Sequence, residues 1–290
     1  MEYLKIAGLP LEASRIALGT WAIGGWMWGG TEESDAISTI HAALDNGINL
    51  IDTAPVYGFG RSEELVGKAL EVGRREGAII ATKVGLDWGS GKILRISTQA
   101  LLRRELEESL RRLKTDVIDI YQVHWPDASV PFEETARTLD AFRREGKIRA
   151  IGVSNFSPAQ MDRFRKGAPF TTIQPPYNLF EREIEKDVLP YAERNGLVVL
   201  AYSALCRGLL TGKITAKTEF KGDDLRKVDP KFQQPRLGHY LAAVARLDAF
   251  ARERYGKTVL ALAVRFCSIA ARSSRFGVPA ARISSRRSRT

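Results

Sequence analysis

Short runs of β-branched and other apolar residues alternate along the chain with longer segments whose apolar positions recur every three or four residues. The short runs are RIALGTW (15–21), INLIDTA (48–54), AIIATKV (78–84), VIDIYQVH (117–124), IRAIGVSN (148–155), FTTIQPPYN (170–178) and LVVLAYSA (197–204). Runs of this length and composition predict strands. Between them, SDAISTIHAALDNG, SEELVGKALEV, TQALLRRELEESLRRL and FEETARTLDAFRREG carry the spacing of amphipathic helices. Strand and helix repeated in this way form parallel βαβ units, here seven strands in one array with no internal linker.

Seven such units can wind into an open sheet or close into a barrel. An open dinucleotide-binding sheet needs a glycine fingerprint directly after its first strand. Here LGTWAIGGWMWGG spreads its glycines through a long loop with three tryptophans instead. The pattern therefore favours an α/β fold of the TIM type, a (β/α)8 barrel. Its eighth strand should follow the helix KTVLALAVRF, and none is recognisable in IAARSSRFGVPAARISSRRSRT. The chain thus reads as a barrel over residues 1–265 and an arginine-rich tail over 266–290.

Charge sharpens that division. Of the formal net charge of +10 over 290 residues, seven arginines between 265 and 290, with no acid among them, supply +7, leaving +3 for the rest. A basic tail attracts phosphate without selecting it. This one has no aromatic interleaving beyond Phe266 and Phe276 and no nucleic-acid motif, so no specific nucleic-acid partner is expected. No segment approaches the ~18 apolar residues of a membrane span, and Cys206 and Cys267 have neither metal-ligand spacing nor disulfide density. A cytoplasmic protein without membrane attachment is expected; the oligomeric state has no signature in the sequence.

In a parallel barrel the chemistry gathers where strands end and βα loops begin. Asp52 ends the second predicted strand with Tyr57 five residues on, Lys83 ends the third, and His124 ends the fourth. Each alone has a structural explanation, as a helix cap, a packed ring, a surface cation or a hydrogen-bonded imidazole. Converging on one mouth, they form a proton-transfer site. A phenol titrates near pH ~10, and a neighbouring ammonium favours its phenolate and lowers that value. A carboxylate beside the lysine keeps the ammonium charged. The set suits proton donation to a carbonyl oxygen, and no metal is needed.

The segments IDTAPVYGFGRSEELVGKAL, IATKVG, IDIYQVHWPD, IRAIGVSNFSPAQM, IQPPYNLFERE and LAYSALCRGLLTGK resemble the aldo-keto reductase superfamily in order and spacing, from about residue 3 to about residue 265. Within it they are most similar to bacterial oxidoreductases related to potassium-channel β subunits. The resemblance implies NADP(H)-dependent reduction of an aldehyde or ketone to an alcohol, with NAD(H) as the other cofactor. It implies Tyr57 as proton donor, Lys83 and Asp52 tuning it, and His124 orienting the carbonyl. It further implies that Ser154, Asn155 and Gln174 hold the nicotinamide carboxamide, that Tyr202 stacks on its ring, and that Ser203 joins them. Leu205, Gly208 and Lys213 would lie over the cofactor pyrophosphate, with Lys213 as its phosphate contact, and Gly19, Thr20 and Trp21 would also belong to the cofactor site. Trp21, Trp26, Trp28 and Trp125 would wall a pocket for a small carbonyl or alcohol substrate. A cofactor-binding protein of low activity, like the channel subunits, is the alternative that the same motifs allow.

Family members continue from the last helix into an eighth strand and a Gly-Ala-Arg-rich turn that grips the adenosine 2′-phosphate. That turn is missing here, and Arg272 and Arg275 are equal candidates to replace it. Codons permitted for residues 266–284, read two nucleotides out of phase, can spell Gly-Ala-Arg-Arg-Pro at the expected distance from the helix. A frameshift near Phe266 is therefore the expected origin of the tail.

Overall fold

A computed structural model of the chain describes residues 1–270. Its centre is a sheet of seven parallel strands, β1 (Ala17–Gly19), β2 (Leu50–Asp52), β3 (Ile79–Val84), β4 (Ile118–Val123), β5 (Ile148–Ser154), β6 (Thr172–Gln174) and β7 (Val198–Val199). They pair strictly in chain order, β1 beside β2 through to β6 beside β7, so each of the seven predicted runs contributes one strand. Helices α1 (Glu33–Asp45), α2 (Arg61–Ala69), α3 (Gln99–Leu113), α4 (Phe132–Arg144), α5 (Pro158–Arg165) and α6 (Val188–Arg194) supply the six crossovers. The architecture is the α/β, TIM-type barrel that the alternation predicts.

Period-2 alternation divides each strand between two cores. Ile51, Ile80, Tyr121, Ile151, Val153 and Ile173 face outward and are buried with the helices. Leu50, Ile79, Ala81, Ile120, Ala150 and Val198 form a separate inner cluster. Following those inner positions towards the C-terminal ends leads to Asp52, Lys83, Gln122, Ser154 and Gln174. The barrel interior is thus apolar at its floor and polar at its mouth. An N-terminal hairpin, Tyr3–Leu4 paired with Ala13–Ser14, closes the floor, with Ile6 and Ala13 packed into the inner cluster.

After β7 the chain makes a long irregular strap, residues 200–235, before α7 (Arg236–Tyr255) and α8 (Val259–Ala270). Among the described residues no eighth strand stands between β7 and β1. Helix α8 runs through the expected boundary at 265/266. Phe266 stacks on Tyr177 with centroids 5.1 Å apart, and the Cys267 thiol donates to the Tyr177 carbonyl at 3.3 Å. The 2′-phosphate candidates Arg272 and Arg275, and the remainder of the tail, lie outside the described residues.

Candidate active site

Lys83 is the best-buried charge at the mouth, at 1% exposure. Its ammonium donates to Asp52 Oδ2 at 2.8 Å, to the Thr53 carbonyl at 2.9 Å and to Tyr57 Oη at 3.3 Å. All three donor positions of the ammonium are therefore used. Parallel register places Asp52 beside Ala81 and Lys83 beside Gln122, which lets the lysine reach back across β2 to the loop carrying Tyr57. His124, the first residue after β4, is tied to β3 by its backbone N–H on the Val84 carbonyl at 2.9 Å. Its ring meets Tyr57 edge to face, centroids 5.9 Å apart. The structure brings the four predicted chemical groups together.

Their protonation follows from burial and charge. Burial pushes the Tyr57 phenol up, and the Lys83 cation opposes this without overcoming it, while the Asp52 carboxylate adds to the rise. The sequence-based expectation of a lowered value is thus reversed, because the aromatic cup around Tyr57 removes the water that would solvate a phenolate. Burial alone would lower Lys83, but Asp52 and Tyr57 together hold it above the ordinary lysine range. His124 is driven well below the ordinary imidazole range by burial and then by Lys83. At neutral pH the site holds a neutral phenol, an ammonium and a neutral imidazole.

A second set of polar groups adjoins the first. Gln174 donates its amide to Asp52 Oδ1 at 2.8 Å, and Gln122 does so at 3.5 Å. Ser154 donates to the Gln174 carbonyl at 2.8 Å. Asn155, whose backbone is left-handed at φ +63°, donates to the His124 carbonyl at 2.9 Å and to Ser154 Oγ at 3.0 Å. Tyr202 donates to Asn155 Oδ1 at 2.9 Å, and burial pushes its own phenol up to about 12. These predicted cofactor residues form one chain of hydrogen bonds, and that chain ends on Asp52. Gly152 lies beneath it, where a Cβ would sit 2.2 Å from Thr172 Oγ1 and 2.8 Å from Gln122 Cγ.

Other predicted contacts fall in different places. Thr20 is fully buried, with its hydroxyl on the Asp52 carbonyl at 3.0 Å and beside Ser62 Oγ at 2.7 Å, so it fastens β1 to β2. Gly19 is exposed at the edge of the sheet. Ser203 takes a left-handed backbone (φ +61°) and its carbonyl receives Asn178 Nδ2 at 3.1 Å. Leu205 packs in the core beneath the strap, Gly208 makes its left-handed turn (φ +96°), and the exposed Lys213 has no carboxylate partner among the described residues.

The tryptophans build an aromatic cup. Trp21 stacks on Tyr57 with centroids 5.9 Å apart, Trp28 meets Trp21 edge-on at 5.5 Å, and Trp26 tilts over Phe59 at 4.8 Å, with Trp88 beyond it. Trp26, Tyr57, Trp88 and Trp125 share one apolar cluster with Ala54, Val56 and Leu86. The indole nitrogens of Trp21 and Trp28 are buried without hydrogen-bond partners. The glycines between these tryptophans serve close packing: a Cβ on Gly24 would lie 2.7 Å from the Tyr57 carbonyl, and one on Gly58 2.2 Å from the Gly24 oxygen. Phe59, Trp88 and Gln122 escaped the reading of the sequence, though Gln122 follows from strict alternation, two residues before His124.

The model of the aldo/keto reductase family matches residues 15–285. The chain belongs to that family. It is 61% identical over 267 residues to the aldo-keto reductase YhdN of Bacillus subtilis (strain 168), covering 92% of this chain and 81% of that protein. It is 39% identical over 230 residues to an NADH-specific methylglyoxal reductase of Escherichia coli (strain K12), covering 74% and 71% respectively. Among solved structures, the glycerol dehydrogenase AKR11B4 from Gluconobacter oxydans superposes with a TM-score of 0.85 at 53% identity, over 95% of this chain and 90% of that one. This aldo/keto reductase is therefore an oxidoreductase, and no described helix is long and apolar enough to cross a membrane.

Proposed function

We infer that this chain reduces a short, oxygen-bearing aldehyde or ketone to an alcohol with a nicotinamide cofactor, Tyr57 donating the proton. The observation that carries this is the triple engagement of Lys83 by Asp52, the Thr53 carbonyl and the Tyr57 hydroxyl. A buried ammonium fixed in this way has one use beyond structure, to stabilise the phenolate that remains once Tyr57 has given up its proton.

The residues at the mouth fit a nicotinamide. Gln174 has its amide nitrogen engaged by Asp52, while its side-chain oxygen accepts no hydrogen bond among the described residues and is free for a carboxamide. Asn155 and Ser154 stand beside it, and Tyr202 presents a ring. When bound, the nicotinamide supplies the hydride that the carbonyl carbon receives. As charge develops on the substrate oxygen, the Tyr57 hydroxyl passes it a proton, and the neutral His124 offers a hydrogen bond that fixes the oxygen in place. Lys83 then faces a phenolate, which solvent reprotonates.

Trp21 and Trp28 support the substrate class. Two buried indole N–H groups without acceptors in an otherwise apolar cup favour a ligand that brings its own oxygens. Two relatives, a methylglyoxal reductase and a glycerol dehydrogenase, agree by name with a short oxygenated compound. NADP(H) is the cofactor that the sequence motifs imply; the NADH-specific relative makes NADH the competing outcome. Loss of nicotinamide absorbance with methylglyoxal or glyceraldehyde, run with NADPH and with NADH, tests both points. Tight cofactor binding without turnover of either aldehyde would instead favour the weakly active, channel-subunit-like role.

A further inference from the structure

Trp28 sits between two left-handed residues, Met27 at φ +64° and Gly29 at φ +82°. For methionine this conformation is unfavourable and persists only where neighbours impose it. The neighbours come from the strap after β7. Asp223 accepts from the Met27 N–H at 2.8 Å through one carboxylate oxygen and from the Gly29 N–H at 3.0 Å through the other. The Leu225 N–H donates to the Met27 carbonyl at 3.0 Å. Every one of these bonds spans nearly two hundred residues of sequence. They bracket the peptide on each side of Trp28.

The ring itself is capped from the same strap. The Arg226 guanidinium lies 5.0 Å from the Trp28 centroid and 4.4 Å from that of Phe220. It is held in place by Asp224, a buried acid that accepts from Arg226 Nη2 at 2.6 Å and from Nε at 2.9 Å. From Arg226 the contacts run through Trp28 to Trp21 and then to Tyr57, at 5.0, 5.5 and 5.9 Å. The strap therefore meets the proton donor through two indoles.

We propose that Asp223 and Arg226 are positioning residues for the substrate pocket: by docking the strap on the loop after β1 they set the Trp28 ring, and through it the Trp21 face against Tyr57. Neither residue needs to touch substrate. Asp223 fixes the backbone and Arg226 fixes the ring plane, so the pocket wall over Tyr57 is complete only with the strap in place. The proposal rests on the reductase reading for its kinetic consequence and on the cofactor-free protein for its structural one.

The test uses the full chain carrying Asp223→Ala, Arg226→Lys or Trp28→Phe. In cofactor-free wild type the perpendicular Trp21–Trp28 pair should give an exciton couplet in far-ultraviolet circular dichroism. Trp28→Phe should abolish it, and Asp223→Ala and Arg226→Lys should each weaken it by about half or more, since ring order falls when its anchors go. In turnover, Asp223→Ala and Arg226→Lys should raise KM for the aldehyde by roughly five-fold or more with kcat within about two-fold, the pattern of lost pocket complementarity. A couplet of wild-type size in both strap variants, or a KM unchanged in both, overturns the proposal. If the wild type itself turns over no aldehyde, the reductase reading fails, and the couplet alone then decides between docking and no docking.

Discussion

Gln174 on β6 donates its side-chain amide to Asp52 on β2, 2.8 Å away across the mouth of the barrel. One residue thereby joins the polar chain that suits a carboxamide to the acid that holds Lys83. Replacing Gln174 with Leu removes a hydrogen bond to an ionised group, an interaction of about 1.5–3 kcal/mol. Gln174→Leu should therefore lower kcat/KM by roughly ten-fold or more and also weaken cofactor affinity in a fluorescence titration. Loss of cofactor affinity with kcat unchanged would show that the link to Asp52 has no catalytic consequence.

Tyr57→Phe deletes the transferable proton and leaves the ring on Trp21 and the edge contact with His124. Carbonyl reduction should fall by on the order of 10²-fold or more. Cofactor affinity should stay within a few-fold, since the hydroxyl is engaged by Lys83 and by no residue of the Gln174–Asn155 chain. Near-normal turnover would rule out Tyr57 as the acid.

Much of this arrangement was legible because it depends on periodicity. Each of the seven strands is short, but each alternates, and the inner positions at the C-terminal ends fall on Asp52, Lys83, Ser154 and Gln174. Parallel register then brings them together with no further information. The strap was not legible. Asp223, Leu225 and Arg226 lie in irregular chain, where no period relates residue to direction, and their partners at Met27 to Gly29 lie close only through the closure of the barrel. The direction of the Tyr57 shift was misread for a related reason: a neighbouring lysine is visible in sequence, whereas the loss of water beneath the aromatic cup appears only in three dimensions.

Lys83→Met tests the electrostatic coupling. The Lys83 cation pulls the Tyr57 value down against burial, so its removal should let that value rise further. Alcohol oxidation, which needs the phenolate as base, should drop at every pH and begin its rise at higher pH than in wild type. Reduction, which needs the neutral phenol, should lose rate without gaining a new limb between pH ~6 and ~8, because His124 is neutral throughout. An oxidation profile that keeps its wild-type position would exclude Lys83 from tuning the phenol.

Glu105 makes the last prediction, and it concerns stability. This α3 residue is 3% exposed and accepts the Gly85 N–H at 2.6 Å, just beyond the strand that carries Lys83. Burial raises its carboxyl to about 8; the Gly85 amide opposes this, Asp87 adds to it, Arg104 opposes it and Glu63 adds to it. A carboxyl raised on folding binds its proton more tightly in the native than in the unfolded chain. Its contribution is therefore complete below the unfolded value of about 4.3 and is lost as pH climbs through the folded value. Wild type should lose urea resistance between pH 5 and pH 8 more steeply than Glu105→Gln, whose amide oxygen still accepts from Gly85 but cannot ionise. Unfolding midpoints measured for both proteins at pH 5, 6.5 and 8 should therefore converge or cross towards the alkaline end. Parallel curves would mean that Glu105 titrates alike in the folded and unfolded chains, and its burial would then have to be relieved by water reaching the carboxyl behind β3.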